Sequence, residues 1–496
     1  TGECLDGDMT RQSSRAAPAR RDAVIVLSAA LIAIVVNVAI AADSEPCLFE
    51  PDVLRTDSAL HQRTTGLADP LGRDCEPPAG GLSLAAAVDL ALCRNTATRS
   101  AWAAAREQAA ALGSAESAWL PSVTATGAES RYYGEHVDVT GALDSNPQNT
   151  RDAALSLSWT LYDFGARGGR IRGARHLLDA AAATTSSVAQ QTVLNVVQSF
   201  YGVVASDASL GAAQSTEEAS ARSLEVARTL NSGGAGTLAD VLQAETAYDQ
   251  AVLARVQAES AAKIARGALS VTLGLPADQA LKLDAQPVPQ QVPPLTAHIG
   301  DLMQEAVRQR LDLAAAQAQR DAAEANVSVA RATGLPSISI TAGRQLIDTT
   351  GVPHQNYSLI GVNVTVPIFT GFSADYSVRQ AKAALESSEV NVDQIRLNVS
   401  QGVWSAYYSL DSANQQIAVT AGLVRTAEQN NQVALGRYKA GVGTIVDVLT
   451  AQAAASLARQ TRISAELGWE VARAQLAFAL GRLSGTEPLT DRVSLP

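Results

Sequence analysis

The feature that most constrains this chain is an internal duplication. The segment GTLADVLQA at 236–244 returns as GTIVDVLTA at 443–451, and the same offset of 207 pairs Arg172 with Arg379, Tyr201 with Tyr408, Arg266 with Arg473, Leu269 with Leu476 and Gly274 with Gly481. Chance does not hold one register over so many positions, and a fixed long period is the signature of a chain built from two copies of one structural unit. Both halves must then do the same mechanical job, which suits a wall or duct.

Each copy reads as helix, strand, loop, strand, long helix, turn, helix. In the first, 82–94 and 96–118 have helical periodicity and Pro121 ends the second helix. Two alternating stretches follow, about 122–133 and 151–161, around the turn-rich GALDSNPQNT; the second copy has about 337–347 and 356–369 around DTTGVPHQ. Each is close to the 9–11 residues that a tilted strand needs to cross a bilayer. No proline interrupts 165–231 or 372–440, so each could form a helix of about 65 residues, or ~100 Å. Shorter helices, 237–273 and 444–480, follow glycine turns. A pre-hairpin helix, 97–118 or 311–332, stacked end to end on each of these would make up the missing length.

Composition excludes several classes. The 496 residues include only 4% aromatics, two methionines and four lysines, with alanine in great excess. That is poor material for thick globular cores and good material for helices that approach closely. A net charge of −11 with no concentrated Lys/Arg segment argues against nucleic acid as a partner. The five histidines, His61, His136, His176, His298 and His354, have no metal-ligand spacing, and no phosphate loop or nucleophile motif is present. No cofactor, metal or enzymatic activity is expected. A structural coiled-coil envelope protein would explain the helices, but it would show sustained heptads and no paired amphipathic strands.

The N-terminus reads as an export signal: Arg15, Arg20 and Arg21, the apolar run 23–36, then small residues with cleavage near Ala41 or Ala42. An uncleaved anchor is the alternative. No later run approaches 18 apolar residues, so a chain that crosses a membrane after export must do so with strands. The expected division is 1–42 signal, 43–81 N-terminal periplasmic segment, 82–275 first repeat, 276–298 proline-rich linker, 299–483 second repeat and 484–496 tail. Cleavage would leave Cys47, Cys75 and Cys93, an odd number; Cys75 in a proline-flanked loop and Cys93 near a helix end are the pair placed to bridge. Ser44, Glu45 and Pro46 argue against lipidation at Cys47.

Two turns carry the most local information, LNSGGAGTLADVLQAE at 230–245 and RYKAGVGTIVDVLTAQ at 437–452. Gly234, Gly236, Gly441 and Gly443 can take the backbone conformations that reverse the chain. Thr237 with Asp240 and Thr444 with Asp447 have capping-box spacing, with aspartate in place of glutamate. Capping alone accounts for both aspartates; an added gating role stands beside it.

At these residues the chain resembles the TolC family of outer-membrane efflux and secretion ducts. The resemblance covers nearly all of 82–483 and rests on a combination: LPSVTATG and LPSISITAG before the strands, WTLYDFG and VPIFTGF after them, and the two glycine turns. It implies a mixed fold, a tunnel of long antiparallel helices with a membrane β-barrel to which each chain of a homotrimer gives four transmembrane strands of twelve. It also implies outer-membrane lipid around the barrel, a periplasmic adaptor docking near the helix turns, and an inner-membrane ABC transporter or, alternatively, a drug pump. LCRNTATRSAWAAAREQAA at 92–110 is most similar to the outer-membrane components of type I exporters, in particular that of the adenylate cyclase–haemolysin toxin. In the family, the helix turns close the periplasmic end and acidic groups line the opening. Asp447 falls on such a position, Asp240 on its repeat partner and Tyr438 on an aromatic at the end of the long helix. The pattern departs at Gly443, where some relatives have an arginine linking neighbouring helices, and at Thr450, where they have a second acid.

Overall fold

The computed structural model describes residues 52, 54–64, 69–70, 75–77, 80–137, 141–145, 147–279, 281–284, 295 and 298–483. The expected signal, Cys4, Cys47, most of the proline-rich linker and the tail lie outside the described residues. The chain divides into two compact units: a sheet unit of Trp119–Tyr162 and Ser337–Thr365, and a helical unit with the described parts of Arg55–Ala118, Asp163–Pro336 and Val366–Pro496.

The helical unit contains α1 (Thr56–Arg63), α2 (Leu84–Arg94), α3 (Thr96–Ser117), α4 (Ala166–Ser232), α5 (Leu238–Thr272), α6 (Ile299–Gln309), α7 (Leu311–Thr333), α8 (Ser373–Lys439) and α9 (Ile445–Ala479). Helices α4 and α8 each run 67 residues, about 100 Å. Lacking proline inside, they end only where glycine takes over: Gly234 and Gly441 have φ of 75° and 70°. The shorter α5 and α9 each run 35 residues. Helix α4 packs on α3, α5, α7 and α9, and α8 on α7 and α9. The wall therefore runs α3 with α5, then α4, then α7 with α9, then α8.

The short helices do stack. Asn95 Nδ2 donates to the Thr272 carbonyl (2.8 Å), bringing the end of α5 to the start of α3. Arg310 Nη1 donates to the Phe478 carbonyl (3.1 Å) and does the same for α9 and α7. At each junction a glycine with φ of 75° lies against the backbone at the end of the short helix that precedes the stacked one, Gly274 against Arg94 of α2 and Gly481 against Gln309 of α6. The cores are thin and alanine-rich, as the composition requires: Leu302, Val403, Ile417, Trp469 and Leu476 form one cluster, and Leu60, Ala105, Ala109 and Leu178 bind α1 into the α3–α4 groove.

The sheet unit holds β1 (Ser122–Tyr132), β4 (Gln148–Tyr162), β5 (Ser337–Thr349) and β6 (Gln355–Thr365), antiparallel in the order β1–β4–β5–β6; the short pair β2 (His136–Val137) and β3 (Leu143–Asp144) decorates the first hairpin. The last strand is shorter than the expected 356–369. It stops at Thr365 because Pro367 offers no N–H to a ladder. Nor is the repeat offset constant along the chain. It is 215 before each hairpin, as for Ser122 and Ser337, and 207 after it, as for Ala166 and Ser373. The first hairpin loop is eight residues longer, and β2 and β3 lie within it.

Part of the linker is structured. Leu82 and Leu283 form a parallel bridge, with Leu82 N–H donating to Lys282 O (2.7 Å) and Asp284 N–H to Leu82 O (3.0 Å). The apolar residues Leu281 and Leu283 pack against the cluster around Phe200, which holds the connector on the wall. Cys75 and Cys93 are joined by a disulfide, Cα–Cα 6.4 Å.

Candidate functional site

The sheet has two chemically different faces. Directly paired residues point the same way, and the ladder places Val123 opposite Leu157, Trp159 opposite Ile340, Ile340 opposite Val362 and Ile338 opposite Val364 on one face. The other carries Ser122 opposite Ser158, Thr124 opposite Ser156, Thr341 opposite Ser158, and Ser339 opposite Asn363. Among the described residues nothing covers the apolar face: Ile360 is 80% exposed and Val362 65%. An exposed apolar face of this kind, backed by a hydroxyl-rich one, is what a strand between lipid and a wet lumen requires. Among the described residues β1 and β6 each have one edge unpaired, and a sheet spanning a bilayer cannot leave such edges open.

The two helix turns have nearly superposable chemistry. Thr237 Oγ1 accepts from the Asp240 N–H (3.2 Å), and the Asp240 carboxylate accepts from the Thr237 N–H (3.0 Å). Thr444 and Asp447 repeat this at 3.2 and 3.1 Å. These hydrogen bonds hold the Asp447 carboxyl below the usual carboxylate range, with a smaller contribution from Arg437. Gly236 and Gly443 serve close approach: a Cβ on either would lie 3.1 Å from atoms of the preceding helix. Gly234 and Gly441 supply the positive φ. Asp447 is exposed, and Asp240 is half-buried.

Tyr438 is placed differently. It is 5% exposed, within an apolar cluster that both repeats build from Leu224, Val241, Ala434, Ile445 and Val448. Among the described residues its hydroxyl has no hydrogen-bond partner. Burial first, and then the charge of Asp240, pushes that hydroxyl's pKa up. Thus Tyr438 lies in the cluster beside the turns, and the two aspartates lie in the first turns of α5 and α9. Thr444→Ala or Thr237→Ala is expected to cost about 1 kcal/mol each by loss of a cap, while serine at either position preserves it; thermal melts of the three forms check this.

A buried polar network that sequence reasoning missed joins the two repeats. Glu470 of α9, 5% exposed, pairs with Arg473 (3.4 Å) and accepts a hydrogen bond from Tyr201 of α4. Arg473 stacks on Trp469 (4.9 Å), whose Nε1 donates to Asn414 of α8 (2.8 Å). In the first repeat the equivalent arginine, Arg266, pairs instead with Asp207 (2.7 Å). The 207 offset puts Asn414 opposite Asp207 and Glu470 opposite Lys263, so the second repeat has exchanged one carboxylate for another. The available sequence signal was Glu470 flanked by Trp469, Val471 and Ala472, with Arg473 at the i,i+3 spacing of a helical ion pair.

Burial pushes the Glu470 carboxyl up, against the opposing pull of Arg473 and Tyr201, and pushes Tyr201 up to about 12. The native state therefore holds the Glu470 proton more tightly than the unfolded chain, whose value is near 4.5. Its stabilising contribution is complete below that value and is lost as pH rises through the native one. Glu470→Gln should raise the melting temperature relative to the parent more at pH 7.5 than at pH 4.5. Parallel melting curves at both pH values would exclude this linkage.

The comparisons agree with this geometry. The family model described as "Outer membrane efflux protein" matches residues 87–275 and 302–482. Protein CyaE of Bordetella pertussis is 30% identical over 397 residues, 78% of this chain and 82% of that protein. The outer membrane efflux protein BepC of Brucella suis is 26% identical over 82% of this chain and 86% of its own length. Among solved structures, the outer-membrane channel OprN superposes with a TM-score of 0.70 at 19% identity, and CusC with 0.71 at 22%; each covers 83% of this chain and 99% of the other. These superpositions give the fold as that of the channel-tunnels. With the duplicated wall, the two-faced sheet and a family match over most of its length, this chain belongs to the outer membrane efflux protein family and is a protein of the outer membrane.

Proposed function

We propose that three copies of this chain close into one twelve-stranded barrel continued by a helical tunnel, and that this duct serves a type I system exporting a protein toxin. The observation that carries the reading is that both layers end in unlike, open edges. The sheet ends in β1 on one side and β6 on the other. The wall ends in α3 with α5 on one side and α8 on the other, and both flanks carry exposed apolar residues, among them Leu253 and Ile264 of α5 and Leu397 and Trp404 of α8. Unlike edges that fit each other close a ring by rotation. The alternation of stacked pair and long helix continues unbroken when α8 meets the next copy's α3 and α5. Four strands are too few for a membrane barrel, since the smallest have about eight.

The resemblance of 92–110 to the outer-membrane components of type I exporters favours protein export, with an inner-membrane ABC transporter supplying the energy and a periplasmic adaptor joining it to the duct. The similarity to BepC, an outer membrane efflux protein, supports efflux, and with it the second reading, the outer duct of a drug pump. Native mass measurement of the detergent-extracted protein tests the assembly, and a well-behaved monomer would overturn it. Co-expression with a toxin, its ABC transporter and adaptor separates the readings: toxin in the medium supports the first, and restored drug resistance without toxin release supports the second.

At the periplasmic end we assign Asp447, exposed at the start of α9, to a ring of carboxylates around the axis, with Asp240 as its repeat counterpart and Tyr438 packing the turns from below. The surrounding glycine and threonine positions, from Gly234 to Thr237 and from Gly441 to Thr444, present the adaptor surface. Carboxylates brought together by symmetry at a narrow opening attract cations. Asp447→Asn should leave assembly intact and lower the cation preference of single channels severalfold. Unchanged selectivity would leave Asp447 a capping residue.

A further inference from the structure

The two stacking junctions are equivalent by the repeat but are fastened by different chemistry. At the second, Arg482 beyond α9 makes a two-pronged ion pair with Glu305 of α6, Nε to Oε1 at 2.8 Å and Nη2 to Oε2 at 2.7 Å. Arg310, at the elbow between α6 and α7, holds Asp312 by two more bonds of 2.9 and 2.6 Å and lies 4.7 Å over the Phe478 ring. The first junction can form neither pair. The offsets of 207 and 215 put Leu275 at the place of Arg482, Leu90 at that of Glu305, Asn95 at that of Arg310 and Ala97 at that of Asp312. Leu90 and Leu275 are 4% and 7% exposed in the cluster around Phe200. Apolar burial stabilises without direction, whereas a two-pronged arginine–carboxylate pair also fixes orientation.

What the first junction has instead is covalent. Cys93, next to Arg94 at the end of α2, is bonded to Cys75, and Arg308 stands at its place in the second repeat. Arg94 Nη1 donates to the Cys75 carbonyl (2.9 Å), and the Arg94 carbonyl is the group that Gly274 abuts. We propose that this cysteine pair is an oxidative modification site: a periplasmic protein disulfide of the thiol-oxidase class makes the bond, and the bond locks the α5–α3 junction as the Arg482–Glu305 pair locks the α9–α7 junction. Cys75 is half-buried and meets the oxidant more readily than Cys93, which is 8% exposed. The Cys75 thiolate attacks one sulfur of the oxidant's disulfide, forming a mixed disulfide and releasing one oxidant thiolate. The Cys93 thiolate then attacks the Cys75 sulfur, closes the Cys75–Cys93 bond and expels the second oxidant thiolate. Two electrons and two protons leave the cysteine pair, and the oxidant ends as a dithiol. The lock lies within one chain, so it holds whether or not three copies close into a duct.

The test uses the detergent-extracted full chain with Cys47→Ser, so that no third thiol of the expected mature chain can exchange. Dithiothreitol should lower its melting temperature by several degrees, and the added double change Cys75→Ser/Cys93→Ser should melt at the lower temperature with or without reductant. The reductant titration decides alone if the double variant does not accumulate. A melting curve that stays put although maleimide labelling shows both thiols reduced would overturn the lock. Oxidised glutathione probes the order of attack. Its mixed disulfide should form severalfold faster on reduced Cys93→Ser, which keeps Cys75, than on Cys75→Ser; the reverse ranking rules out Cys75 as the entry sulfur. In cells lacking the periplasmic thiol oxidase, the yield of folded protein should fall severalfold and recover when cystine is added to the medium. Full yield with both thiols free means the junction needs no lock, and full yield with the bond formed removes the oxidase as its maker.

Discussion

Alanine at Gly274 or Gly481 is expected to be the most damaging single-methyl change in the chain. Each glycine has φ of 75°, which costs a residue with a Cβ about 1–2 kcal/mol. Each also touches backbone that cannot swing aside: the added Cβ would lie 2.5 Å from the Arg94 carbonyl oxygen at Gly274, and 2.9 Å from that of Gln309 at Gly481. Relief requires separating the stacked helices, at a further cost of about 1–3 kcal/mol. Together these come to about 2–5 kcal/mol per site, read as a lower melting temperature and a reduced yield of assembled protein. Gly211, mid-helix with nothing within 4 Å of its added Cβ and no positive φ, is the control. Gly211→Ala should be neutral or slightly stabilising. Equal behaviour of Gly211→Ala and Gly274→Ala would mean the stacking junctions do not hold the wall together.

The second large effect concerns the sheet. Ile340 lies mid-strand on the apolar face, between Trp159 and Val362, and Thr341 lies next to it on the hydroxyl face, between Ser158 and Gly361. Ile340→Arg is expected to cost about 2–4 kcal/mol per chain if that face meets lipid. Thr341→Arg should assemble normally and change conductance instead. The two residues are neighbours in sequence, so helical-wall defects or expression effects cannot easily mimic opposite outcomes. Assembly of both variants to parental levels would contradict a lipid-facing sheet.

Much of this architecture was legible in the sequence because its signals are long-range or periodic. The proline-free stretches, the strand alternation and the glycine turns each depend on many residues, and the tight spacing of Thr444 and Asp447 left little freedom for anything but a capping box. Other features depended on information no single segment carries. Pro367 was read within a strand because the flanking Val366, Ile368 and Phe369 suit one, although its missing N–H ends the ladder. The bridge between Leu82 and Leu283 joins segments some 200 residues apart, and composition alone makes the second part of a proline-rich linker. For the Glu470 network the sequence offers the acid but not its partner: Tyr201 is in the other repeat, and only the three-dimensional seam shows that the two meet.

The exchanged carboxylates at that seam show what duplication makes available. In a ring assembled from single units, any substitution is imposed on every wall position at once, and a new buried acid would appear everywhere or nowhere. With two units fused in one chain, Lys263 can remain on the surface while Glu470 goes inward, and Asn414 can give up the charge that Asp207 keeps. Adjacent staves of the barrel thereby become free to differ in stiffness, even though the lengths and angles that let them close together are inherited from one pattern.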